Sequence, residues 1–416
     1  MNSEIKLNQW ISRIEAFNPN EIELGLERLH KIALSLGLIK FDAKVVIIGG
    51  TNGKGSCVAS LESLAIQSHL KVASYTSPHL RRFNERIKID GKQVTDDLLV
   101  KHFEIIEASR NDIPLTFFEF TTLVALSIFS QEPLDLVILE IGLGGRLDAV
   151  NIVDPDVTII TTIDKDHESW LGVDKVGIAY EKSGICRKGK KNLIGDKKSY
   201  NLVLQARPEL EGVVSLITEK NPDHFSIEEL NQIIKDRQIN PYQLLQQNIL
   251  LSLLAFNTLF EKQSKELNLA EVIRNIQIEG RFQKVLNHPI TLVDVGHNLQ
   301  AAKNLKHQCS EIKNIGKRIA ICGMMADKAI ADVIHIMDDV IEQWYFVDLP
   351  IERAASAEDL IKSHTSLKLT SSANQTHSVE QAFQEIQIHC AKDDLVLVFG
   401  SFITVAEMLH YCDNEG

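Results

Sequence analysis

The sequence is poor in the features that would mark a stapled, membrane-bound or nucleic-acid-coating protein. Its 416 residues hold six cysteines. Cys57, Cys186, Cys309, Cys322, Cys390 and Cys412 are scattered and no two form a C-x-x-C pair, which excludes the common zinc clasp and a disulfide scaffold. No run of about 18 apolar residues occurs, the length a membrane-crossing helix needs. The most apolar stretch, Leu244–Phe260, is interrupted by Gln246, Gln247, Asn248, Ser252 and Asn257. Met1–Lys6 lacks the apolar core of a secretory signal. Positive charge is in deficit, with 44 Lys and Arg against 56 Asp and Glu, a net charge of −12. That argues against a partner that is nucleic acid or an anionic membrane, while leaving room for a local basic cleft. Internal repeats and low-complexity tracts are also lacking. A cytoplasmic monomer acting on small molecules is the expectation.

What is present suits large cores, with 44% hydrophobic and 24% charged residues. A domain usually takes about 100–200 residues, so two or three domains are expected. Short β-branched runs alternate with helical spacing. Val45–Ile48, Leu136–Leu139 and Val157–Ile160 read as buried strands, and Lys71–Ser74 as another. Near-continuous apolar strands imply a parallel sheet covered on both faces. Ile22, Leu26, Leu29, Ala33 and Leu36 give an amphipathic helix. A second set of strands falls at Thr291–Val295, Arg318–Cys322, Trp344–Val347 and Leu395–Phe399. Arg281–Pro289 has no clear period and reads as a linker. The fold class is therefore α/β in two domains, 1–284 and 285–416. Residues 196–240, polar and weakly periodic, predict no element.

Most of the unusual residues follow strand ends. Gly50–Ser56, Thr76–His79, Glu140 and Asp164–His167 all do so, and ligands of open α/β sheets bind outside the carboxyl ends of strands. These segments are expected in one cleft. Gly50-Thr51-Asn52-Gly53-Lys54-Gly55-Ser56 lies between a strand and a helix, where glycines let backbone N–H groups close around phosphate and Lys54 adds a full charge. The spacing departs from G-x-x-x-x-G-K-[ST], since Ile48 holds the place of the first glycine and Gly55 follows Lys54. A triphosphate normally arrives with Mg²⁺, which takes oxygen ligands, and Glu140 is a natural ligand or water-holder. Read one at a time, Glu140 is equally a solvated or paired carboxylate, Ser77 a turn residue before Pro78, His167 a surface histidine and Lys182 a helix-surface lysine beside Glu181.

Together these segments resemble the folylpolyglutamate synthase/dihydrofolate synthase family of the Mur ligase superfamily. The likeness begins at Ile22–Arg28 and runs through Gly50–Ser56, Thr76–Leu80 with Glu85-Arg86-Ile87, Phe117–Glu119, Leu139–Ala149, Asp166-His167 with Leu171-Gly172, Glu181–Ile185, Gly280–Phe282, Asp294–Asn298 and Gly400–Phe402. Gly296 stands where the family usually has Ala. The resemblance implies an N-terminal P-loop-type ATP-binding domain with a mostly parallel sheet, and a smaller Rossmann-like C-terminal domain that brings glutamate. It implies that Thr51, Asn52, Gly53, Lys54, Gly55 and Ser56 hold the triphosphate. Ser77, Glu140 and His167 match Mg²⁺ ligands, with two metal positions and Mn²⁺ able to serve. Lys182 matches a carbamylated lysine. Asn248, Arg281 and Asp294 match nucleotide contacts. Thr116, Phe117, Phe118, Glu119, Leu147, Asp148 and Ala149 match pterin-substrate contacts, and His297 and Ser401 would lie near the incoming glutamate. Ser401 is equally a helix cap.

The implied reaction is ATP-dependent joining of L-glutamate to dihydropteroate and to the γ-carboxyl of folates through an acyl phosphate. Bringing two anions together calls for cations, and Lys54, Arg281 and Mg²⁺ are the candidates. The amine must be neutral to attack, and Asp294 and His297 are candidates to orient or deprotonate it. The alternatives are a ligase restricted to one of these acceptors, another Mur-type amino-acid ligase, and a nucleotide-operated switch without ligase activity.

Overall fold

The computed structural model describes residues 3–16, 25–217, 230, 232–233, 246–313 and 315–415. Ile22, which the sequence assigns to the first amphipathic helix, lies outside them. Among the described residues the chain forms two compact units. One runs to Asp164 and resumes from Val173 to Gln277. The other combines Lys165–Gly172 with the chain from Ile278 onward.

The sheet of the first unit contains β1 (Lys44–Gly49), β2 (Val72–Tyr75), β3 (Ile87–Ile89), β4 (Lys92–Gln93), β5 (Leu136–Glu140), β6 (Val157–Ile160), β7 (Lys191–Ile194) and β8 (Val214–Leu216) in the order β4-β3-β2-β5-β1-β6-β7-β8. From β2 to β8 every pairing is parallel, and β3 and β4 form an antiparallel edge. The central strands bury almost every side chain because helices cover both faces. Lys54–Gln67 lies against Gln246–Leu259, with Ser252 Oγ donating to the Cys57 carbonyl at 3.1 Å. The apolar stretch Leu244–Phe260 is thus a buried core helix from Gln246, too short to cross a membrane. No helix among the described residues is long and apolar enough to do so.

The second sheet takes β9 (Gln283–Asn287), β10 (Ile290–Asp294), β11 (Arg318–Cys322), β12 (Gln343–Val347), β13 (Ser372–Thr376) and β14 (Leu395–Phe399) in the order β13-β12-β11-β14-β10-β9. All are parallel except β9, which pairs antiparallel with β10. Its core gathers Phe282, Leu292, Trp344, Phe346 and Phe399, with the Trp344 and Phe346 rings stacked at 5.2 Å.

The expected linker Arg281–Pro289 is a correction. It carries β9, a half-exposed edge strand whose polar residues hide the two-residue period. The predicted boundary at 284/285 falls inside that strand, and the second unit takes in Lys165–Gly172 as well as the chain from Ile278. In the polar stretch after residue 196, Lys197–Ala206 is helical with Asp196 as its N-cap.

Candidate active site

The phosphate loop is shaped by two glycines and by contacts to the strand-end residues that follow β6. Gly50 has φ +137°, and a Cβ there would sit 1.9 Å from Thr161 Oγ1. Gly53, at φ +91°, caps the helix Lys54–Gln67, and a Cβ there would lie 2.8 Å from the Asn248 amide. The Thr51 hydroxyl donates to the Asp164 carbonyl and accepts the Asp164 N–H, each at 3.0 Å, and Asn52 N–H donates to Thr162 Oγ1. Lys54 Nζ folds back onto the Gly50 and Thr51 carbonyls at 3.2 and 3.4 Å. Lys182, buried on Lys175–Ser183, also donates to the Gly50 carbonyl, at 3.1 Å. Two lysine amines therefore meet one turn of the loop. Asn248 Nδ2 is buried beside Gly53 without a hydrogen-bond partner. Such an orphan donor at a phosphate loop fits a nucleotide.

Parallel neighbours β2 and β5 place Tyr75 opposite Leu139. Just beyond, Ser77 N–H donates to Glu140 Oε2 at 3.3 Å, and Glu140 is buried. The contact is through the Ser77 backbone N–H, and a serine hydroxyl and a carboxylate are both hard oxygen donors of the kind that fits Mg²⁺ or Mn²⁺. Among the described residues no three His, Cys, Asp or Glu side chains form a metal cluster by themselves.

The start of the helix Phe117–Phe129 lies against the same strand ends. Thr116 caps it, and Glu119 returns the bond to Thr116 N–H at 2.8 Å. Glu119 also takes Arg28 Nε at 3.0 Å and Nη2 at 3.1 Å, so its oxygens are engaged within the protein. Phe118 stacks on Tyr75 at 5.9 Å and packs on Gly142, where a Cβ would be 2.6 Å from the ring. The next turn holds Leu147, Asp148 and Ala149. Asp148 is buried and accepts Leu143 N–H at 2.9 Å and Val150 N–H at 3.0 Å. Burial pushes its carboxyl up to about 7, opposed by those N–H groups and the charge of Lys54.

In the second unit, Asp294 ends β10 and binds Phe282 N–H at 2.8 Å and Gly296 N–H at 2.7 Å. Burial raises its carboxyl, with Arg281 pulling the other way. The Arg281 guanidinium lies 6.0 Å from the Phe402 ring. His297 Nδ1 donates to the Val295 carbonyl at 2.9 Å, which leaves Nε2 facing Asp166 Oδ2 at 3.5 Å. Ser401 caps the last helix, accepting Thr404 N–H at 3.0 Å and sharing a hydroxyl contact with Thr404 at 2.7 Å. His167, at φ +52°, opens the short helix Glu168–Leu171.

The first unit thus brings together Thr51–Ser56, Asn248, Lys182, Ser77, Glu140, Thr116–Glu119 and Leu147–Ala149. Arg281, Asp294, His297 and Ser401 belong to the second unit, as does His167. Sequence reasoning gave no role to Asp166, which accepts Lys328 Nζ at 2.8 Å and Asn298 Nδ2 at 3.0 Å. Burial opposes its charge, yet His297, His167 and Lys328 together hold that carboxyl far below the usual range. Asp166 and Asn298 sat inside quoted motifs and could have been found, whereas Lys328 carried no local signal.

Residues 280–402 match the Mur ligase, glutamate ligase domain. The chain is 37% identical to a dihydrofolate synthase/folylpolyglutamate synthase of Buchnera aphidicola subsp. Schizaphis graminum, covering 98% of this chain and 97% of that one. It superposes on Escherichia coli FolC in complex with DHPP and ADP with a TM-score of 0.86, at 33% identity and 98% coverage of both chains. A bifunctional folylpolyglutamate synthase/dihydrofolate synthase from Yersinia pestis c092, complexed with AMPPNP and Mn ion, gives 0.85 at 33% identity, again covering 98% of both. With a phosphate loop, a serine–carboxylate pair and the residues Phe118 and Asp148 beyond the carboxyl ends of neighbouring parallel strands, and with this identity along its length, the chain belongs to the dihydrofolate synthase/folylpolyglutamate synthase family of Mur ligases.

Proposed function

We propose that this chain uses ATP to join L-glutamate to dihydropteroate, and to the γ-carboxyl of folates that already carry glutamate. The observation that carries the reading is that, in the first unit, the phosphate loop leaves β1 beside Glu140 at the end of β5, Ser77 bonds Glu140, and the charge of Lys54 acts on Asp148. The E. coli relative with DHPP and ADP and the Yersinia relative with AMPPNP and Mn ion support the ligand classes.

Lys54 and the N–H groups at the start of its helix would hold the triphosphate, and Asn248 would give its unused N–H to the nucleotide. Arg281 and Asp294 are proposed as further nucleotide contacts. The acceptor carboxylate attacks the γ-phosphorus and ADP leaves. The glutamate amine then attacks the acyl carbon, phosphate departs, and the amine loses its proton. Lys54 offsets the repulsion of the first step. Ser77 and Glu140 would hold a divalent ion, which would supply charge neutralisation at the phosphates. His167 as a further ligand rests on the family pattern. Phe118 offers a flat face to a pterin, and Asp148 offers an acceptor or donor according to its proton. His297, its ring fixed through Nδ1, would orient glutamate with Ser401. Asp294 already binds two backbone N–H groups, which favours orientation over proton removal.

Lys182 is proposed to react with CO₂ and act as an oxygen ligand. Its burial at the loop supports this, since a desolvated amine is more readily neutral. An ADP-release assay with dihydropteroate, tetrahydrofolate and a UDP-linked muramyl acid, each with and without L-glutamate, tests the reading. Release should require a pterin acid and glutamate together, and release needing neither rejects the ligase. In the same assay Lys182→Ala should be impaired and partly restored by added acetate. Full activity without acetate rejects the carbamate.

A further inference from the structure

Arg86 is a buried cation for which the described chain supplies no anion. Its residue is 8% exposed, and it pairs with no carboxylate among the described residues. Nε donates to His79 Nδ1 at 2.8 Å, an imidazole that brings no negative charge. The guanidinium carbon lies 5.6 Å from the Phe83 ring and 5.2 Å from the Phe117 ring, and its other neighbour is the Tyr75 phenol. Glu140 and Glu15 act on it only through space. Burial without a counter-charge disfavours the charged form, and this is the largest influence on the group. A desolvated guanidinium is costly unless it is paired. Phe117 and His79 are only partly covered, so the cation lies just under the surface of the Phe117 turn.

We propose that Arg86 receives the carboxylate of the acceptor acid. The planar fork matches two carboxylate oxygens, and Phe117 presents an aromatic face for the ring that bears the acid. The inference rests on the reading that the acceptor is a pterin acid, and assigns that acid's charge to a residue outside the phosphate loop and the metal pair. Arg86 thereby selects acids over neutral analogues.

Calorimetric titration of the full-length protein with dihydropteroate and with its neutral carboxamide tests this, using wild type, Arg86→Gln and Arg86→Lys. Wild type should bind the acid at least about 30-fold more tightly than the amide, the scale of a desolvated charge pair. Arg86→Gln should bind the two alike, and Arg86→Lys should fall between. Nucleotide affinity should not change. Without ligand, Arg86→Gln should melt no lower than wild type, because the buried charge is gone. An acid preference kept in Arg86→Gln overturns the proposal. So does an equal loss of acid and amide binding with a lower melting point, which marks a purely structural cation. Weaker binding of ATP or inorganic phosphate, with the acid unaffected, assigns the site to phosphate and also overturns it. Wild type binding neither pterin rejects the ligase reading itself, and this inference with it.

Discussion

At the scale of single residues, the Asp148 carboxyl carries a measurable cost. Its pKa is raised by burial to about 7, while the unfolded chain releases the proton near the ordinary value. Between those points the folded state holds a proton that the unfolded state has lost. Stability must therefore fall as pH rises, by about 1.4 kcal/mol per unit, and level off above the folded pKa. Asp148→Asn removes this dependence. Urea unfolding of both proteins from pH 5 to 8 should show the variant gaining on wild type up to about pH 7. A constant gap would mean that Asp148 is ionised throughout. The motif pointed to Asp148 as a substrate contact, but its burial and its backbone donors Leu143 and Val150 come from the turn Gly142–Val150, which only the fold assembles.

Among elements, legibility tracked burial. β11 and β14 match the predicted runs Arg318–Cys322 and Leu395–Phe399 residue for residue because central parallel strands are buried along nearly their whole length. β9 and β13 lie at sheet edges and are polar, so the first reads as a linker and the second is assigned no strand. The loop between β1 and Lys54–Gln67 was legible through its glycines, and the structure adds why they are needed. Gly50→Ala would drive a methyl group into Thr161 at a backbone angle that L-residues avoid. We expect a loss of about 2–4 kcal/mol in stability, the range for a strained backbone with a steric clash, and nucleotide binding should weaken. Chemical denaturation and nucleotide titration check both, and an unchanged variant would show that the loop relaxes freely. Long-range pairing was the least visible feature, as with Asp166 and Lys328, which lie 162 residues apart.

For the whole molecule, the net charge of −12 opposes self-association. The large apolar side chains most exposed among the described residues, such as Leu34, Val173 and Ile388, are spread along the chain. Light scattering on the purified protein should give 46.7 kDa, the mass of one chain. Twice that mass would mean that a face now counted as solvent-exposed is covered by a second copy.

The short run Lys165–Gly172 is grouped with a body whose remaining described residues begin more than a hundred positions later. Among the described residues the chain changes unit at 164/165, at 172/173 and at 277/278. Neither half can therefore be excised with one cut. A fragment starting at Ile278 would forfeit Asp166 and with it the bonds that Asp166 accepts from Lys328 and Asn298. Any gene fusion, split reporter or domain exchange built on this scaffold would have to carry that borrowed octapeptide along.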